Sequence, residues 1–258
     1  MEMLDRDEFF NKFSIDKNYF NSTGLKWEVL EEIYDDYIKI IPYLEKTADD
    51  FIFKLIDKES VHSVRRRVKK PTHLIEKIIR KGKKYVSQGI DVSNYRDIVT
   101  DLIGVRILHL FKNDWIFIHN EIINTWKLAE TPQINVRPGD FDMDVLKRDM
   151  EDLHCEIIIR PHGYRSVHYL IELNIEDSKI DTFVEVQVRT VFEEAWSEID
   201  HIIRYPYDKD NPVLNDYLSI FNRIVGSADE MGTFIKELKP KIVPPHMNNN
   251  IEADNKYK

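Results

Sequence analysis

The stretch LIGVRILHLF, residues 102–111, is a nearly continuous apolar run rich in β-branched residues and bounded by charge on both sides. That pattern is a buried strand. A second run, Phe183-Val184-Glu185-Val186-Gln187-Val188, alternates apolar and polar residues and leaves Glu185 and Gln187 on one face. Working outward, further strands are expected over residues 60–70, 129–136, 154–160 and 165–173. Apolar residues at helical spacing over 25–57 predict an amphipathic helix pair with Pro42 at the kink or join. Thr72-His73 followed by LIEKIIRK reads as an N-capped helix, and helices are expected over 115–126, 191–203 and 214–238. Strands are too many for a helical bundle and do not alternate strictly with helices, so the class is α+β, a mixed β-sheet flanked by helices.

The chain has 258 residues, 42% hydrophobic and 32% charged, which suffices for a core and excludes wholesale disorder. One cysteine, Cys155, excludes a disulfide framework and a multi-cysteine zinc site. MEMLDRDEFF at the N-terminus has no signal-peptide pattern, and no apolar stretch is long enough to span a membrane. A cytoplasmic protein without membrane contact is expected, and the sequon Asn21-Ser22-Thr23 is read as chance. The expected organisation is an N-terminal helical segment (1–58), a catalytic core (59–206), a C-terminal helical extension (207–238) and a disordered tail (239–258).

Net charge is −9, which argues against a protein that coats nucleic acid by overall electrostatics. Residues 65–84, however, hold ten Lys or Arg and one acid, Glu76, a local charge of 10 − 1 = +9. Arg67 and Lys69, at alternate strand positions, can share a face, with Lys77 reaching in from the next helix. A triphosphate suits them; a solvated basic face or an RNA patch uses the same residues. Asp101 enters the strand 102–111 with Gly104 close behind, a place for a hard cation and a close-approaching ligand, or a simple turn residue. Glu185 inside an apolar strand is costly to bury unless it is hydrated in a cleft, bound to metal or paired with a neighbour such as Arg189. Two carboxylates facing a basic cleft suggest Mg²⁺ with phosphate. In Pro161-His162-Gly163-Tyr164-Arg165-Ser166-Val167-His168, Tyr164 can stack a base and Arg165 or His168 can bind phosphate, or the group is a packing cluster. Asp140, Asp142, Asp144 and Glu151 imitate a calcium loop, but Val145 replaces its glycine and the loop is read as solvated.

Five motifs appear in one order: Arg67-x-Lys69-x-x-x-His73-x-x-x-Lys77, Asp101-x-x-Gly104-x-Arg106, Gly163-Tyr164-Arg165-Ser166-x-His168, Glu185-x-Gln187-x-Arg189-Thr190 and Trp196-x-Glu198-x-x-His201. Over residues 61–205 the chain resembles the synthetase domain of RelA/SpoT proteins, specifically a small stand-alone alarmone synthetase. The resemblance implies a nucleotidyltransferase-like fold and transfer of pyrophosphate from ATP to the 3′-hydroxyl of GDP or GTP, giving ppGpp or pppGpp and AMP in the stringent response. It implies Arg67 and Arg106 around adenine, with Lys69, Lys77 and the position of His73 on the ATP side. Asp101 would ligate Mg²⁺, and Glu185 would share the metal or take the proton of the attacking hydroxyl. Tyr164 would stack on guanine, with Arg160, Arg165, His168, Gln187 and Arg189 around the acceptor. His73 departs from the family's usual serine. None of the nine histidines precedes an aspartate, so the hydrolase activity of long family members is expected to be absent. The alternative acceptors are the tRNA 3′ end and adenosine nucleotides, as in toxic relatives; a sensing module without catalysis is disfavoured by the two carboxylates. Apolar residues Phe221, Ile224, Val225, Ala228 and Met231 suggest a packed helix or a homo-oligomer contact.

Overall fold

A computed structural model of the protein describes residues 4–137, 153–160, 163–175, 180–204 and 211–242. Among these, six strands form one sheet: β1 (Ser63–Val68), β2 (Ile103–His109), β3 (Gln133–Val136), β4 (Glu156–Ile159), β5 (Ser166–Ile175) and β6 (Ile180–Thr190). Their order is β1-β2-β6-β5-β3-β4; β2/β6 and β3/β4 are parallel and the other neighbours antiparallel. This is the mixed α+β sheet that the two decisive stretches predict.

Pleating sorts the strand residues into two faces. Ile103, Val105 and Ile107 of β2, Val184, Val186 and Val188 of β6, and Val167, Tyr169 and Ile171 of β5 share one face and are all buried. The intervening positions, among them Arg106, Glu185, Gln187, Arg189 and His168, point to the other. A register slip of one residue would bury those charges and expose an apolar row worth about 1.5–3 kcal/mol per large side chain, so the polar face is strongly specified.

Helices are α1 (Arg6–Lys12), α2 (Lys17–Thr23), α3 (Trp27–Phe53), α4 (Pro71–Arg80), α5 (Gly82–Ser87), α6 (Tyr95–Ile98), α7 (Trp115–Thr125), α8 (Val191–Arg204) and α9 (Pro212–Ile242). The expected helix pair over 25–57 is instead one helix, α3, which runs through Pro42. Proline there costs a backbone bond, roughly 3 kcal/mol. The buried stripe Leu30, Ile33, Tyr37, Ile40, Leu44, Ala48 and Phe51 continues on both sides of it, and that burial outweighs the break. Helix α4 also differs from expectation: Pro71 occupies its first turn after Lys70, and no side chain caps it, Thr72 included. The C-terminal helix runs to Ile242, so residues 239–242, expected in the disordered tail, are helical; 243–258 lie outside the described residues. The short helices α1, α2, α5 and α6 carry too few turns for periodicity to announce them. No helix among the described residues is long and apolar enough to cross a membrane.

Candidate active site

The polar face of β1, β2 and β6 floors a cleft of about 570 Å³, whose lining includes Arg65, Arg67, Gly104, Arg106, Tyr164, Glu185, Gln187 and Arg189, with Ser197, Glu198 and His201 contributed by α8. Register explains the grouping. Gly104 lies opposite Arg67 on one side and Glu185 on the other, and Arg106 lies opposite Arg65 and Gln187. Directly opposed residues share a face, so three strands deliver these side chains to one floor. Gly104 has a local purpose. A Cβ at that position would sit 3.0 Å from Arg67 Nε, so glycine lets the arginine lie across β2; the close approach expected of a ligand is made by a side chain of the protein.

Glu185 is half-buried in the cleft and, among the described residues, has no hydrogen bond or ion pair. The structural ion pair with Arg189 that the sequence allowed does not form. Arg189, almost fully buried, donates instead to Gln187 Oε1 and to the Tyr164 hydroxyl at 2.9 Å, and its guanidinium lies 5.2 Å from the Tyr164 ring centre. Since the Tyr164 hydroxyl accepts from Arg189, its own proton goes to His168 Nε2, 2.9 Å away. That makes His168 a neutral acceptor. Burial first, and then the charges of Arg189 and Arg160, push its pKa down to about 4, which agrees. Arg160 donates through Nε to Asn135 Oδ1 at 2.5 Å. Tyr164, His168, Gln187 and Arg189 therefore form one connected group at the β5/β6 side, and Arg160, bonded to Asn135, is near enough for its charge to act on His168.

Asp101 sits with the lysines. Its Oδ2 is 3.0 Å from Lys69 Nζ and 2.7 Å from Lys77 Nζ, while Oδ1 is buried without a hydrogen-bond partner. Burial would raise its pKa, but the two ammonium groups outweigh it and hold the carboxyl below its ordinary range. Burial lowers Lys69, Asp101 opposes that, and crowding by Lys77 and Arg67 adds to it; the net direction is down. The Lys69 carbonyl is pinned by the Tyr37 hydroxyl of α3 at 2.7 Å, which fixes the turn from β1 into α4. Asp101 is not among the residues lining the cleft, and it precedes by three residues the Gly104 that faces Glu185. Asp101 lies in the turn before β2, so these three residues span at most about 10 Å, and Asp101 stands at the entry to the strand that pairs in parallel with the one carrying Glu185.

On the opposite wall Arg106 Nη1 lies 2.9 Å from Glu194 Oε1 and also pairs with Glu198. Against the burial that would lower it, these acids hold the guanidinium above its ordinary range. Lys69, Lys77, Arg160 and His168, like Asp101, are not among the residues lining the cleft, and two further expected site residues, Arg165 and His73, are held by other contacts. Arg165 is buried against α9, where a Cβ on Gly226 would meet its guanidinium at 2.9 Å. His73 is exposed and packs edge-on against Phe13 at 5.6 Å. Pro161, His162 and the acidic run 140–151 fall outside the described residues. Periodicity along α8 carries a signal for side chains beyond the expected site: Glu194, Glu198 and His201 recur at three- and four-residue spacing and so share a helix face.

Comparison with known proteins agrees with this geometry. The family model described as a region found in RelA / SpoT proteins matches residues 66–210. GTP pyrophosphokinase YwaC of Bacillus subtilis (strain 168) is 28% identical over 180 residues, covering 69% of this chain and 74% of that protein. The crystal structure of small alarmone synthetase 1 from Bacillus subtilis superposes with a TM-score of 0.54 at 20% identity, covering 80% of this chain and 95% of that one. The same enzyme bound to its product pppGpp gives a TM-score of 0.53 at 20% identity, over 78% of this chain and 96% of that one. With the family's region spanning more than half of its length and the sheet of those enzymes beneath its cleft, the chain belongs to the RelA/SpoT family.

Proposed function

We propose that the cleft transfers pyrophosphate from ATP to the 3′-hydroxyl of GDP or GTP, as an alarmone synthetase of the stringent response without hydrolase activity. The observation that carries this reading is Glu185: a carboxylate free of partners among the described residues, on a floor otherwise crowded with arginines. Such a group is free to accept a proton. The 3′-oxygen attacks the β-phosphorus of ATP, the bond from that phosphorus to the α–β bridging oxygen breaks, AMP leaves, and the hydroxyl proton passes to Glu185. Arg67 and Arg106 flank the adenine, since a guanidinium stacks on a base. Lys69 and Lys77 take the ATP phosphates. Tyr164 offers its ring to guanine, braced by Arg189 and His168, with Gln187 and Arg160 toward the acceptor. Catalysis then rests on positioning and charge neutralisation.

The donor set fits a divalent metal: Asp101 has a buried oxygen without a partner and Glu185 is unpaired, and Mg²⁺ takes one or two carboxylates plus phosphate oxygens. Bound by these residues, Mg²⁺ would offset the charge of the ATP phosphates. A homo-oligomer is part of the proposal. Val213, Tyr217, Ile220, Ile224, Met231 and Phe234 of α9 are exposed and follow alternating three- and four-residue steps, completed by Ser227. An antiparallel second copy would set Tyr217 opposite Phe234, Ile220 opposite Met231 and Ile224 opposite Ser227, so the stripe is complementary to itself.

The test is incubation of purified protein with ATP labelled in the γ-phosphate and, separately, GDP, GTP, ATP and deacylated tRNA. Label on GDP or GTP with release of AMP is expected. Glu185→Gln should abolish most transfer while retaining ATP binding. Label found on tRNA alone would overturn the choice of acceptor.

A further inference from the structure

Glu194 has no place in the mechanism above, yet it is 7% exposed, and a carboxylate that deep is costly unless it is paired. Its two oxygens face two different arginines: Oε1 accepts from Arg106 Nη1 at 2.9 Å, and Oε2 lies 3.2 Å from Arg189 Nη1 as an ion pair without hydrogen-bond geometry. Those arginines come from neighbouring strands at different levels, Arg106 opposite Gln187 and Arg189 opposite Leu108. They also serve different walls. Arg106 belongs to the donor side, whereas Arg189 braces the Tyr164 ring and hydroxyl on the acceptor side. We propose that Glu194 is a positioning residue that ties the donor and acceptor walls together, so that occupancy of one nucleotide pocket tightens the other.

The naming of the two walls rests on the proposed function, and the tie between them on geometry. Arg106 has a second acid, Glu198, whose side chain is 45% exposed. Arg189 is 2% exposed, and among the described residues its other contacts, Gln187 and the Tyr164 hydroxyl, are uncharged. Glu194 is thus the counter-charge that lets Arg189 stay buried, and the same carboxylate sets where Arg106 lies. A nucleotide that immobilises either arginine immobilises Glu194, and the second nucleotide then meets a wall already ordered. Such coupling is reciprocal: each ligand must tighten the other by the same factor.

The experiment measures binding by calorimetry in the full-length protein, with a non-hydrolysable ATP analogue and GDP as probes, each alone and in the presence of the other. Wild type should show mutual tightening of about fivefold or more. Glu194→Gln, neutral and of the same shape, should weaken both nucleotides about tenfold and abolish the mutual effect. In turnover it should raise both KM values more than it lowers kcat. Glu198→Gln should affect the ATP analogue alone and keep the mutual effect. If Glu194→Gln does not fold, Glu194→Asp, charged but too short to reach both arginines, is expected to show the same loss. Independent binding of the two probes in wild type, or mutual tightening that survives in the Glu194 variant, overturns the proposal. A wild type that binds both probes but transfers no pyrophosphate would count against the proposed function and leave the binding result to decide the tie.

Discussion

Asp229 on α9 is fully buried, its Oδ2 accepts from the Thr190 hydroxyl at 2.8 Å, and its Oδ1 has no hydrogen-bond partner. Burial, and then the charge of Glu193, push its pKa from 3.8 to about 6, while the Thr190 bond, Lys112 and Arg165 pull the other way. That gap corresponds to about 3 kcal/mol in favour of the neutral acid. The folded protein therefore holds a proton that the unfolded chain has already released between pH 3.8 and about 6. Stability from this group is present below pH 3.8 and lost as pH rises to about 6, so at pH 8 the ionised Asp229 is a standing cost. Asp229→Asn removes the charge, and its amide oxygen can still accept from Thr190. The variant is expected to be more stable than wild type by about 1–3 kcal/mol at pH 8, with the difference shrinking toward zero near pH 4. Urea unfolding followed by circular dichroism at pH 4, 5, 6 and 8 measures it, as a shift of midpoint at unchanged slope. An Asn variant no more stable than wild type at pH 8, or a difference that does not vary with pH, would refute the reasoning.

Three further outcomes follow from the geometry. His168 must stay neutral to accept from Tyr164, and its pKa of about 4 lies below the ordinary 6.5; its contribution is complete above 6.5 and lost as pH falls toward 4, by about 3 kcal/mol at most. Unfolding curves of His168→Gln, which can still accept that bond, should lack this acid dependence, and an unchanged profile would exclude His168 as its source. Gly226→Val would drive a side chain into the Arg165 guanidinium, where a Cβ alone falls at 2.9 Å, and should cost about 1–3 kcal/mol; a melting temperature equal to wild type would show that Arg165 is not held there. Ile224→Asp, at the centre of the exposed α9 stripe, should reduce the molar mass seen by light scattering to that of one chain, whereas an unchanged mass would place any self-association elsewhere.

Much of the architecture and the floor of the cleft was legible in the chain. Strand pleating is a local period of two, so the valines around Glu185 and Gln187 already state which side chains share a face, and the decisive stretches need no long-range information to be read. Where the period stops, that reasoning stops with it. Asp101, His73 and Arg165 sit at a strand entry, a helix start and a turn, and their directions come from what packs against them: two lysines, Phe13 and the C-terminal helix. Pro42 belongs to the same class, because a local rule ends a helix there and a buried stripe on both sides keeps it whole. Glu194 shows the limit most plainly. Its spacing in α8 marks a helix face and Arg189 is only five positions away, but Arg106 is 88 positions away, and only the strand order that sets β2 beside β6 brings it to the same carboxylate.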